Sequence, residues 1–189
     1  AGAFRYAEIF GTVVYDTRDH VRLPMRGVYA ALRGEYYPVL LENSSRFADG
    51  SLDLRVYIPL HAQLTLALRS RVQHLWGRYP FYHAATVGGS GTLRGFNRER
   101  FAGNAAVLGT AEFRGSLGRI RIIFPGEGGL LGFAVVGRVF MPGEESTTVH
   151  TSFGGGIWGG FADRRLSFSL HAALSRERFA VSLKTGFTF

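Results

Sequence analysis

Apolar and polar side chains alternate with a period of two along four stretches of the chain. Leu52, Leu54, Val56, Ile58 and Leu60 are interleaved with Asp53, Arg55 and Tyr57, and Leu64, Leu66, Leu68 and Val72 with Thr65, Arg69, Arg71 and Gln73. Leu166, Phe168, Leu170, Ala172 and Leu174 alternate with Ser167, Ser169, His171 and Ser175. In the last stretch Phe179, Val181, Leu183, Phe187 and Phe189 alternate with Ala180, Ser182, Lys184, Gly186 and Thr188. Successive side chains of a strand point to opposite faces, so this period predicts strands with one apolar and one polar face; helical spacing fits none of the four. Weaker strand candidates cover 4–16, 27–38, 105–116, 129–140 and 148–161. Turn signals separate them at Asp16 to Pro24, Asn43 to Ser45, Pro125 to Gly129, Pro142-Gly143 and Asp163 to Arg165. The total is about nine strands, many near the roughly ten residues that a tilted membrane strand needs. Residues 77–104, rich in Gly and aromatics, form one long connection without a period of its own, which marks a functional candidate.

Composition narrows the class. The chain has 189 residues, 46% of them hydrophobic, with 16 Phe, 8 Tyr and 26 Gly. That length suits one domain over 1–189, and no change of composition marks a second. The absence of Cys excludes disulfide scaffolds, thiolate metal sites and thiol nucleophiles. No apolar run approaches the length of a membrane helix, yet the hydrophobic content is too high for a disordered chain. Dispersed apolar residues fit an all-β protein whose apolar face meets lipid. The polar sets are small residues or Arg and Glu, unlike the mixed polar face of a soluble sandwich. Tyr36, Tyr37, Trp76, Tyr79, Phe187 and Phe189 are placed as an interfacial aromatic girdle would be. The predicted fold is an antiparallel transmembrane β-barrel.

The charge is +8, and every basic residue except Lys184 is Arg. The arginines are spread through the strands rather than gathered in a patch or tail, which argues against a nucleic-acid partner. Arg33, Glu35, Asp53, Arg55, Arg69, Arg71 and Lys184 are expected to form a polar network inside the barrel, where an Arg fork can serve several acceptors. Gly154-Gly155-Gly156-Ile157-Trp158-Gly159 matches G-x-G-x-x-G, but no helix or acidic partner follows, so these read as strand glycines. The six His have no metalloprotease spacing, and no Gly-x-Ser-x-Gly elbow occurs. A Ser-His-Asp grouping across strands is left open by spacing alone. No catalytic residue, metal or cofactor is expected, and the chain reads as a non-enzyme.

The long connection contains Val87-Gly88-Gly89-Ser90-Gly91-Thr92-Leu93-Arg94-Gly95-Phe96, followed by Arg100-Phe101-Ala102-Gly103-Asn104. It resembles the sixth extracellular loop of the outer membrane protein 85 superfamily, with Arg94, Gly95 and Phe96 as its Arg-Gly-Phe tip. This family includes the BamA and TamA assembly factors, two-partner secretion transporters and surface-antigen barrels. Flanking motifs agree in order. Tyr15-Asp16-Thr17-Arg18-Asp19 with Pro24 and Gly27 resembles the family's periplasmic turn, and Leu54-Arg55-Val56-Tyr57-Ile58-Pro59-Leu60 a strand end. Ala111-Glu112-Phe113-Arg114 resembles the strand after the loop, and Phe189 the family's last aromatic.

The resemblance implies a bacterial outer-membrane location and contact with outer-membrane lipid. It also implies that the loop folds into the lumen, where Glu112 is the partner of Arg94. The family's second carboxylate lies in a Phe-x-Asp-x-Gly pattern; here Phe133-Ala134-Val135-Val136-Gly137 puts Val135 in its place, which leaves Arg94 to Glu112. Phe179, Val181, Leu183, Phe187 and Phe189 would form one side of a lateral seam. The implied function is insertion or translocation of other β-rich polypeptides, with an unfolded or nascent β-barrel or a secreted polypeptide as client. The alternative is a barrel that anchors or exports an associated domain, for example a lipid hydrolase. Family topology places the loop outside, and four strands precede it. About nine strands then imply the C-terminal part of a barrel of about sixteen, because single-chain bacterial barrels are even-numbered. A small self-contained barrel of about eight strands, or one completed by a second copy, is the alternative.

Overall fold

The computed structural model describes residues 7–41, 45–121, 125–144, 148–161 and 166–189. Residues 4–6 of the first predicted strand, and the turn signals at Asn43-Ser44 and Asp163 to Arg165, lie outside the described residues. The strands are β1 (Ile9–Asp16), β2 (Gly27–Tyr37), β3 (Phe47–His61), β4 (Leu64–Gly77), β5 (Ala85–Val87), β6 (Phe101–Gly103), β7 (Ala105–Arg121), β8 (Pro125–Phe140), β9 (His150–Phe161), β10 (Leu166–Ser175) and β11 (Phe179–Lys184). Nine of them form one antiparallel sheet in the order β1-β2-β3-β4-β7-β8-β9-β10-β11, while β5 and β6 make a separate hairpin. Strands next to each other in this sheet follow one another in the chain, as short hairpin connections favour, except that β5, β6 and the long connection intervene between β4 and β7. β1 and β11 are the two edges, and among the described residues no ladder joins them.

The alternation sorts residues as period two requires. On β3, Leu54, Val56, Ile58 and Leu60 are exposed while Tyr57 is buried; on β10, Leu166, Phe168, Leu170 and Leu174 are exposed while Ser167, Ser169 and His171 are buried. β7 turns Leu108, Thr110, Glu112 and Arg114 inward and Val107 and Phe113 outward. Leu75, Val87, Leu93, Phe96, Leu108, Leu131, Phe133 and Trp158 pack together on the inner face. The outer face is apolar and unpacked across the sheet. A broad exposed apolar surface of this kind marks contact with lipid or with another chain.

Three expectations need correction. Phe187 and Phe189 do not join the outward row of Phe179, Val181 and Leu183: they are 8% and 5% exposed, on the inside. The strand ends at Lys184, and Gly186 then adopts φ +75°. A Cβ on Gly186 would lie 2.7 Å from the Arg22 carbonyl oxygen, so this inward turn requires glycine. Of the residues read as an aromatic girdle, Tyr36 and Trp76 face outward. Tyr37 is buried and stacks on Phe47 at 4.2 Å, and Tyr79 packs against the inner cluster. Pro125 to Gly129 is strand rather than turn. Proline is tolerated as the first strand residue, and the glycines there make room for the neighbouring Phe161 and Trp158 rings.

Candidate functional site

The connection from β4 to β7 lies inside the sheet and carries its own local structure. A 3-10 turn at Phe81–His83 leads into the β5–β6 hairpin. The Thr92 hydroxyl accepts from the Gly88 N–H at 3.0 Å and donates to the Gly88 carbonyl at 2.8 Å, closing the segment before the tip. Leu93 and Phe96 bury in the inner cluster on either side of Arg94-Gly95. Gly95 has φ +85°, and a Cβ there would meet Ser175 Cβ at 3.2 Å. The Ser175 hydroxyl donates to the Gly95 carbonyl at 2.7 Å. Arg178 hydrogen-bonds Asn97, and Arg100 Nε donates to Glu177 Oε2 at 3.0 Å. The tip is thus fastened to the hairpin of β10 and β11.

Arg94 reaches the wall. Its Nη2 donates to Glu112 Oε2 at 2.6 Å, and the two side chains are 2% and 1% exposed. The guanidinium stands 3.7 Å above the centre of the Phe133 ring. Val135, two residues along the same inward row of β8, is buried and offers no acceptor. Among the described residues the Nε and Nη1 atoms of Arg94 have no hydrogen-bond partner. The ring face supplies part of the compensation that a second carboxylate would give.

Glu112 serves a second cation. Its Oε1 accepts from Arg114 Nε at 2.9 Å. Arg114 also donates through Nη1 to the Pro24 carbonyl at 2.7 Å and through Nη2 to the main-chain oxygen of Phe189 at 2.9 Å. Its guanidinium lies 3.8 Å from the centre of the Phe187 ring and 5.2 Å from those of Tyr57 and Phe189. One carboxylate thereby links the loop, the β1–β2 turn and the segment after β11. Burying three charges is costly, and such a cluster survives only where geometry and hydrogen bonds compensate.

The turn between β1 and β2 closes this end of the inner face. Leu23 and Pro24 are fully buried, and the Phe187 N–H donates to the Arg22 carbonyl at 3.0 Å. Asp19 Oδ1 accepts from the N–H groups of Met25 and Arg26 at 2.9 and 3.2 Å. Arg18 forks onto Asp16, and that hydrogen-bonded carboxylate pushes the Arg18 pKa up.

Of the expected polar network, Asp53, Arg55 and Arg69 come together. Arg55 and Arg69 each place Nε and Nη2 on its two oxygens, at 2.7 to 3.2 Å. Arg69 Nη1 also donates to the Gly91 carbonyl at 3.1 Å, adding a further tie to the loop. Arg33 pairs with Glu35 on β2. Ser169 and His171 come within 3.2 Å of each other, but both are buried and the Ser169 hydroxyl donates to the Gly186 carbonyl. That pairing is part of the packed interior.

Arg114 and Pro24 stand in the motifs read from the sequence but have no role assigned there, and Leu23 stands in none. A signal for Arg114 existed: Glu112 and Arg114 are two apart on one strand, hence on one face. Its partners in the β1–β2 turn and the last residues are separated from it by 90 and 75 positions, and no local pattern announces them.

A family model described as the Omp85 superfamily domain matches residues 2–158. The crystal structure of BamA from Haemophilus ducreyi lacking POTRA domains 1-3 is similar in fold, with a TM-score of 0.70 at 16% identity over 94% of this chain. The chain spans 40% of the length of that relative. The comparison with curated proteins gave no match. The match over most of its length shows that the chain belongs to the Omp85 superfamily.

Proposed function

We propose that this chain is the part of an outer-membrane barrel wall that bears the edge strand at which other β-rich polypeptides are inserted or translocated. The observation that carries this reading is the form of β11. It is a six-residue edge strand, and it pairs with β10 over Ser169 to Leu174. Residues 187 and 189 turn inward, so the ladder between β10 and the segment after β11 ends where the Gly186 N–H donates to the Ser167 carbonyl at 3.1 Å, and β11 itself has no neighbour on its outer edge among the described residues. An edge of this kind offers unpaired backbone N–H and C=O groups to an incoming strand. The outward side chains Phe179, Val181 and Leu183 would meet lipid and the outward residues of the client. Arg94, Gly95 and Phe96, with Glu112 as the wall partner, would hold the loop against the same hairpin. The reading contains no catalytic group and no cofactor.

Depletion of the full-length protein in its source cell tests the role. Falling levels of other outer-membrane barrels, with their unfolded forms accumulating, are the expected result. Unchanged levels of every other barrel and secreted polypeptide would count against it.

A further inference from the structure

We propose that Arg114 is a positioning residue that makes the inward hold on residues 187–189 depend on the seating of the Arg94 loop. The inference goes beyond the proposed function and holds whatever polypeptide the barrel handles.

The argument starts from how arginines pair elsewhere in this chain. Arg18 on Asp16, and Arg55 and Arg69 on Asp53, each close the same fork, with Nε on one carboxylate oxygen and Nη2 on the other. This two-point geometry is the strong form of the contact. Arg114 departs from it. Its Nε rests on Glu112 Oε1, but its Nη2 is turned to the main-chain oxygen of Phe189. The other oxygen of Glu112 carries Arg94 Nη2 instead.

The diversion has a physical cause. Asp53 accepts two forks, but its side chain is 18% exposed and so remains open to solvent. Glu112 is 1% exposed, and a second fork would press Arg114 toward the buried cation Arg94. With the loop seated, Arg94 satisfies Oε2 and the Nη2 of Arg114 is free to hold Phe189. With the loop withdrawn, a buried carboxylate oxygen is left without a donor, which is costly. The Nη2 of Arg114, on the same guanidinium that already holds Oε1, is placed to fill it. Closing that fork turns Nη2 toward Oε2 and away from the Phe189 oxygen, so the two acceptors compete for it and the hold on Phe189 weakens. Loop seating and the inward hold on the last residues therefore rise and fall together.

The test uses the full-length protein with Thr188→Cys as a reporter, in a background without other reactive cysteines; this chain contributes none of its own. The rate of modification by a membrane-impermeant maleimide reads release of the segment. Arg94→Gln is expected to raise that rate about tenfold, the scale of one charge-assisted hydrogen bond lost from a locally opening segment. Arg94→Lys, which keeps a charged donor within reach of Oε2 where the shorter glutamine amide falls short, should restore slow labelling. Arg114→Lys has no fork to divide, so it should label fast whether or not Arg94 is also changed. Should Arg94→Gln give no folded barrel, Asn97→Ala with Ser175→Ala loosens the tip without stripping a buried charge and is read the same way. A folded loop-loosened variant labelled at the original rate would overturn the proposal. So would effects of Arg94→Gln and Arg114→Lys that simply multiply.

Discussion

Arg94 Nη2 and Glu112 Oε2 meet at 2.6 Å inside the sheet, where both side chains are almost wholly shielded from water. Removing one member of such a pair leaves a buried charge uncompensated, at a cost of about 3–5 kcal/mol. Glu112→Gln strips two cations of their partner, Arg94 and Arg114, whereas Arg94→Gln leaves Glu112 with Arg114. The glutamate change should therefore destabilise the folded barrel more than the arginine change. Urea unfolding of the full-length protein, followed by the mobility shift between folded and heat-denatured forms, checks the order. The reverse order would contradict it.

Gly95 sits at φ +85° against Ser175. A Gly95→Ala change forces a side chain into the left-handed region and against a neighbour, a cost of about 1–3 kcal/mol. The expected result is a loop tip loosened from β10, read as faster amide exchange at residues 93–97. The strands β3 and β4, remote from that contact, should exchange as before.

Gly186 makes the inward turn possible in the same way. Gly186→Ala places a Cβ 2.7 Å from the Arg22 carbonyl oxygen, so residues 187–189 should leave the inner face. Amide exchange at Phe187, whose N–H is bonded to the Arg22 carbonyl, is expected to accelerate. Unchanged protection there would show that another contact holds the segment.

These two glycines show how much was legible beforehand. The sheet could be read because an apolar outer face and a more polar inner face impose a period of two, cleanest on β3, β4, β10 and β11, with turn signals marking the weaker strands between them. The Arg94-Gly95-Phe96 tip could be read because its motif is contiguous. Phe187 and Phe189 misled for a definite reason: they continue the odd-numbered parity of Phe179, Val181 and Leu183, and parity alone extends the strand. Only the positive φ at Gly186 breaks it, and glycine also occurs in regular strands of this chain. Arg114 lies in the same short motif as Glu112, yet its partners Pro24 and Phe189 are 90 and 75 positions away on opposite sides of it.

The facing of the strands carries its own test. Leu170 lies at the centre of β10 and points outward, exposed. Leu170→Arg should cost about 2–4 kcal/mol in a bilayer, as a basic side chain on the lipid face near the midplane does. Ser182→Arg, on the inward row of the adjoining β11, should cost clearly less. Refolding titrations into lipid vesicles measure both. Equal costs would mean that the outer face does not meet lipid.

The measurement closest to the central claim is site-specific photocrosslinking in the full-length protein while a β-barrel substrate is being assembled. A photoreactive residue at Val181 or Leu183 on the edge strand β11 should capture the substrate, in a pattern that alternates along its strand. The same residue at Leu68, outward on β4 in the middle of the sheet, should capture none. Capture at Leu68 equal to that at β11, or no capture at β11 during active assembly, would contradict the account.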